Sequence, residues 1–277
     1  MMLLAGPARG LRLRLEVTPG HRSGVYCVRM ESDGNAARPL SVSTADIDGI
    51  LARLLGVDER QDSLVGKIAI EIARDIIEER VGQSDDLNSF DLAQRFGTSR
   101  TPVREALLVL ERQGMVEVPA RRRPRAAEFT RQTIIEIYDL RSELYGLVAR
   151  QIVENASDAE LDTLERHLAG LVSAAESGDD DAYFWQVVLF HEQASLICGN
   201  ATLKRTIDGL GLRVMQLRHL GMARGWRIER SLADHQRLML ALRERDGQLA
   251  AALNRAMATN ALPGLLAIVD GKGPDSR

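Results

Sequence analysis

From Asp62 onward, apolar residues recur at helical spacing almost without interruption. Leu64, Ile68, Ile72 and Ile76 stand four apart, which predicts one apolar helix stripe ending near Gly82. Two shorter helices follow. Ser89 is placed to cap the first, which carries Leu92, Ala93 and Phe96 and stops at Gly97. Ser99 is placed to cap the second, with Pro102 in its first turn, where a missing N–H costs nothing. That helix sets Val103, Ala106, Leu107 and Leu110 on one face and closes near Gly114. Met115 to Val118 then alternates like a strand, Pro119 breaks it, and an arginine-rich turn leads to Phe129. Helix, helix, turn, helix and hairpin predict a winged helix-turn-helix over residues 62–130.

Residues 131–270 predict helices and almost no strand. Ser157 with Glu160 forms a capping box, Gly178-Asp179 and Gly199-Asn200 each end one helix and begin another, and Asp246-Gly247 separates the last two. The breaks fall about twenty residues apart, which suits an antiparallel all-α bundle of six to seven helices. The fold class is therefore mainly α, a winged helix-turn-helix followed by that bundle, with 271–277 as a tail. Residues 1–61 read as a poorly ordered leader. Leu11 to Val17 alternates there without an obvious partner, and Ile47, Ile50, Leu51, Leu54 and Leu55 give one short amphipathic turn-and-a-half. Met30 is a plausible alternative start, which would make 1–29 an extension.

Charge changes this picture locally. The 277 residues carry a net charge of −3, yet Arg95 to Arg125 holds eight arginines against three acids. Residues 131–270 hold fifteen basic against nineteen acidic side chains. A basic head on a mildly acidic body points to nucleic acid at one end and another task at the other. No apolar run approaches the ~20 residues of a membrane span. Two cysteines, Cys27 and Cys198, cannot build a disulfide framework or a four-cysteine zinc site, which fits a cytoplasmic protein.

The chemistry of the head lies in Ser99-Arg-Thr-Pro-Val-Arg-Glu-Ala-Leu107. With the apolar stripe turned inward, Arg100, Thr101 and Arg104 cluster at the helix N-terminus, where a recognition helix meets base edges and phosphates. Ser89, Ser99 and Thr101 hydroxyls suit phosphate oxygens, and Arg121, Arg122, Arg123 and Arg125 bring a second basic contact through the wing.

This motif resembles the DNA-binding motif of GntR-superfamily transcription regulators, and residues 89–108 carry the likeness. The helical body resembles the FadR-type, FCD ligand-binding domain, on Asp139-Leu-Arg-Ser-Glu143, Phe190-His191 before Gly199-Asn200, and Asp234-His235 before Asp246. Two departures stand out in the head. Ser89-Phe-Asp-Leu-Ala93 places Phe90 where the family often has a phosphate-contacting arginine, and Arg123 takes the place of the wing glycine. The resemblance implies a homodimer on a roughly palindromic double-stranded operator, more often repressing than activating. A small molecule in the bundle would change the spacing of the heads, with helix 131–155 as the lever. It also implies four metal-ligand positions, which here are Val187, His191, His235 and Met257. Valine cannot coordinate and a thioether suits soft copper, so no metal cofactor is expected. The expected alternative is a partly apolar effector pocket near Phe184 and Trp185, with His191 and His235 joined by Arg141, Arg213 or Asn200 to anchor a carboxylate.

No nucleophile elbow, His-Glu-x-x-His or phosphate-cradling loop is present, so the chain reads as no enzyme. Two other readings stay open at this point. One is a metal-dependent helical enzyme using His191 and His235; the other is a DNA-binding protein whose sensor has decayed into a dimerisation module.

Overall fold

The computed structural model describes residues 11–17, 26–32, 40, 42–57, 63–222 and 226–271. Its elements in chain order are β1 Leu11–Val17, β2 Tyr26–Ser32, α1 Thr44–Leu55, α2 Leu64–Ile77, α3 Ser89–Arg95, α4 Arg100–Arg112, β3 Val116–Glu117 and β4 Arg125–Ala126. The body follows as α5 Arg131–Asn155, α6 Asp158–Ser177, α7 Asp180–Ile197, α8 Ala201–Met222, α9 Trp226–Arg243 and α10 Gly247–Val269. The fold is mainly α, with a winged helix-turn-helix leading into a helical bundle.

The leader differs from expectation. The alternating Leu11–Val17 strand finds an antiparallel partner in Tyr26–Ser32, with Leu11 opposite Ser32 and Val17 opposite Tyr26. The short apolar cluster is a twelve-residue helix closed at both ends. Ser43 and Asp46 form a reciprocal capping box, and Gly56 ends the helix at φ 67°. Leu51 and Ala52 are fully or almost fully buried, and Leu54 packs so closely on α8 that a Cβ at Gly211 would sit 2.9 Å from its methyls. Helix α1 is thus part of the head's core, not of a disordered segment. Residues 1–10, 18–25, 33–39, 41, 58–62 and 272–277, which belong to the leader, head and tail readings, lie outside the described residues.

In the head, Ser63 caps α2 by accepting from the Gly66 amide, and Ile68, Ile72 and Ile76 are buried, while Leu64 in the first turn stays exposed. Val103, Ala106, Leu107 and Leu110 turn inward from α4 as the stripe predicts. The wing is a two-residue ladder, Val116 opposite Ala126 and Glu117 opposite Arg125, widened by a bridge from Asp86 to Arg125. The head's core continues into the body through Phe184, Trp185 and Val188 of α7 and Leu212 and Met215 of α8. Burying those side chains against α1 and α2 supplies apolar contact on the order of 2 kcal/mol for each large residue.

The body's punctuation is that of the sequence. Ser157 and Glu160 form the capping box of α6, Gly178 closes it at φ 69°, and Asp179 caps α7. Asn200 accepts from the Leu203 amide and Asp246 from the Gln248 and Leu249 amides. Helices α5 and α10 form the most extensive pairing; α7, α8 and α9 pack against this pair, and α6 lies on α7 and α9. Among the described residues, no helix is long and apolar enough to cross a membrane.

Candidate functional site

Two sites take shape, one on the head's surface and one inside the body. Helix α3 is capped by Asn88, whose Oδ1 accepts from the Phe90 amide at 3.0 Å, so Ser89 is its first residue and not its cap. Gly97, at φ 59°, turns the chain toward α4. Ser99 occupies the N-cap position of α4 but makes no side-chain capping bond, which leaves its hydroxyl and the first-turn amides open to another acceptor. Arg100, Thr101 and Arg104 are all exposed on the first turns.

Arg104 shares a shallow groove with Ser89, Arg122 and Arg123, so the tip of α4 and the wing converge on one surface. Arg121, Arg122 and Arg123 line a second hollow with Pro119 and Asp86. The left-handed residue of the wing is Arg121, at φ 63°, rather than Arg123, which lies 3.5 Å from Asp86. Arg125 is engaged within the hairpin, its Nε and Nη2 donating to Glu117 at 2.8 and 2.7 Å. Among the described residues, Arg100, Arg104, Arg121 and Arg122 have no carboxylate within ion-pair distance. Phe90, in the position of the family's arginine, is 56% exposed beside them in the chain.

The body encloses a cavity of about 60 Å³ between α5, α7, α8, α9 and α10. Val187, His191, His235 and Met257 all line it, so the four positions taken from the resemblance do meet in space. Arg141 joins them from α5. Two expected anchors do not. Asn200 is spent on capping α8, with its Nδ2 3.2 Å from Gln151. Arg213 lies 4.6 Å above the Phe129 ring and against Gly114, at the junction with the wing. Phe184 and Trp185 do not line the cavity either; both lie in the head's core, where Trp185 Nε1 donates to Glu78 at 2.8 Å. Trp185 falls roughly 120–160° round α7 from 191 and 187, whereas Phe184 shares the side of His191 but lies about two turns away along the helix.

The missing anchor is Arg218. It is 5% exposed on α8, lines the cavity, and has Nε and Nη2 without any partner. Burial and the nearby Arg141 charge lower its pKa to about 10, so it remains a cation at neutral pH. Arg141 is 8% exposed, stacks over Tyr138 at 5.0 Å and Tyr145 at 5.5 Å, and leaves its Nε unpartnered. Sequence periodicity does not single out Arg218, because Val214 to His219 is buried without interruption and no one face of that stretch stands out.

Both histidines are buried and neutral. Burial pushes His235 down to about 4, and burial together with Arg218, His235 and Arg141 holds His191 well below the ordinary range. The rings lie 5.3 Å apart. His235 Nδ1 is 2.7 Å from the Ser231 carbonyl, which can only accept, so the proton sits on Nδ1 and Nε2 is a bare acceptor. The residues do not fit a divalent cation. Valine and methionine stand at two ligand positions, two guanidinium cations face the same space, and among the described residues no three His, Cys, Asp or Glu are grouped to hold a metal.

A basic helix tip and wing mounted on a helical bundle define a winged-helix DNA-binding regulator as a class. The comparisons with known proteins agree. Residues 64–124 match the family described as bacterial regulatory proteins, gntR family, and residues 136–260 match the FCD domain. The chain belongs to the GntR family of transcription regulators, in the group that carries an FCD domain. It is similar to the probable D-xylose utilization operon transcriptional repressor of Paenarthrobacter nicotinovorans, 26% identical over 65% of this chain and 78% of that one. It is also similar to the HTH-type transcriptional repressor RspR of Escherichia coli, 25% identical over 67% of this chain and 80% of that one. The solved structure of E. coli McbR/YncC shares the fold, with a TM-score of 0.62 at 23% identity over 76% of this chain and 98% of that one.

Proposed function

We propose that the chain is a sequence-specific repressor that binds a roughly palindromic operator as a homodimer, and that a small organic acid in the body's cavity modulates this binding. The observation that carries the DNA reading is the convergence of Arg104, Ser89 and Arg122 on one groove, with Arg100 and Thr101 beside it. Arg100 and Arg104 stand one turn apart and read base edges; Arg121, Arg122 and Arg123 hold the backbone by charge. The relatives named as repressors support the sign.

Coupling runs through α8 as much as through the long α5. Arg218 lines the cavity, and the next residue, His219, sits 2.9 Å from Asp181 and 3.5 Å from Glu79, just past the end of α2. Leu212 and Met215 of the same helix lie in the head's core, and Arg213 stacks on Phe129. Helix α5 contributes Arg141 and Tyr145 to the cavity and follows the wing directly. A ligand that draws α5 and α8 together therefore acts on two connections to the head at once.

Selection of bound sequences from a random double-stranded DNA pool by the full chain tests the reading. The expected product is an inverted repeat with half-sites about one helical turn apart. Recovery of no shared sequence, with equal affinity for all duplexes, would refute it.

A further inference from the structure

The cavity's charge is unbalanced in a way that specifies its occupant. Three guanidinium groups line it, Arg141 and Arg218 inside and the exposed Arg230 at its edge, against the single carboxylate of Asp234. Asp234 already accepts from Arg237 at 3.3 Å. Two buried like charges with orphan donors are held at a cost until an anion meets them. The imidazoles ask for partners too: His191 Nδ1 has none, and His235 Nε2, on a side chain 1% exposed, is an acceptor with nothing donating to it. A bare carboxylate cannot satisfy it, because an ionised carboxylate only accepts. Val187 and Met257 add apolar wall where the resemblance would place metal ligands.

We infer that the cavity is a metal-independent site for a small hydroxycarboxylate, the carboxylate held by Arg218 and Arg141 and the hydroxyl donating to His235 Nε2. In this chain the guanidinium pair takes over the anion-holding task that a metal would perform, and the carbon skeleton lies against Val187 and Met257. The inference rests on the effector reading above and adds the chemistry of the ligand.

The test is binding to the full chain in EDTA, read by calorimetry and by thermal shift. The probes are glycolate, lactate and glycerate, with acetate and propionate as counterparts lacking the hydroxyl and inorganic phosphate as the non-carboxylate anion. At least one hydroxy acid is expected to bind tenfold or more tighter than its counterpart and than phosphate. R218M should abolish that binding, while its ligand-free melting temperature stays at or above that of the wild type, because a costly unpaired charge has gone. H235F should retain binding but reduce the preference for the hydroxyl to within about twofold. Binding that appears only after a divalent metal is added would overturn the inference. So would equal affinity for hydroxy and deoxy acids, tighter binding of phosphate, or no binding by any acid. A ligand-free R218M that melts well below the wild type would make Arg218 structural and would also overturn it. Operator affinity measured on the same samples separates the two readings: a hydroxy acid that binds without changing operator affinity supports this site and removes the effector role.

Discussion

The head and the body each bury charge on a helix, and each treats it differently. In the head, Asp75 is 3% exposed on α2 and accepts from Arg80 Nε at 2.6 Å and from Arg95 Nη1. Arg80 and Arg95 are half-exposed, so their other donors reach water. In the body, Arg141 and Arg218 are nearly as buried, and among the described residues neither has a carboxylate within ion-pair distance. The head is electrostatically closed, and its free arginines lie outside on α4 and the wing. The body is electrostatically open, and its free arginines lie inside. A surface that reads DNA must be complete before DNA arrives, whereas a sensor must lack something that its ligand supplies.

The largest effect is expected from breaking the closed cluster. Asp75→Ala leaves Arg80 and Arg95 without their shared acceptor and should cost about 3 kcal/mol in urea unfolding, softened by the water that both arginines can reach. A change under 0.5 kcal/mol would mean that the cluster does not organise the head. Next comes the free charge on α4. Arg104→Ala should weaken specific operator binding by roughly 2 kcal/mol and relax base preference at one position of each half-site. Unchanged affinity for the selected operator would show that another face reads the sequence. On the wing, Arg122→Ala should weaken all duplexes alike by less than about 1 kcal/mol and lower the salt slope by about one, the signature of a phosphate contact.

The smallest effect falls at the seam. Burial acts to lower the His219 pKa, but hydrogen bonds and charge from Glu79 and Asp181 outweigh it, so the group sits above its ordinary value of 6.5. A raised folded pKa gives stability that is complete below pH 6.5 and is lost as pH rises through the folded value. The buried His235, lowered to about 4, works the other way, and its contribution is lost as pH falls from 6.5 toward 4. The difference in unfolding free energy between wild type and His219→Gln should therefore shrink as pH is raised above 6.5, by well under 1 kcal/mol. A difference that grows with pH would contradict the seam as described.

The head was largely legible because its signals are local. The stripe Val103, Ala106, Leu107 and Leu110, the first-turn Pro102 and the basic tip each follow from spacing along one helix. The cap of α3 shifted by one residue because Asn88 and Ser89 are both capable acceptors, and only backbone geometry decides between them. Helix α1 had its signals in plain view, Ser43 three residues before Asp46 and Gly56 just past the last apolar residue. Its short stripe alone does not specify a stable helix, because burial by α2 and α8, not propensity, stabilises it.

The body's site was legible only in part, because it is assembled from five helices. Arg141, His191 and His235 are where the sequence suggested. Arg213 and Arg218 are five residues apart on one helix, so both could not face the same cavity. The choice between them depended on which face of α8 meets α5 and α10. Asn200 was ambiguous for the same reason: an Asn after Gly199 is a helix cap first, and its amide was already committed.

The body holds two buried cations in want of an anion. The most direct measurement is the unfolding free energy of ligand-free full chain beside Arg218→Met, a near-isosteric change that removes one of those charges. The variant should be more stable, by about 1–3 kcal/mol, as expected when an uncompensated buried ion becomes a well-packed apolar side chain. A variant less stable than the wild type by a similar amount would contradict it, and would mean that Arg218 is already balanced within the folded chain.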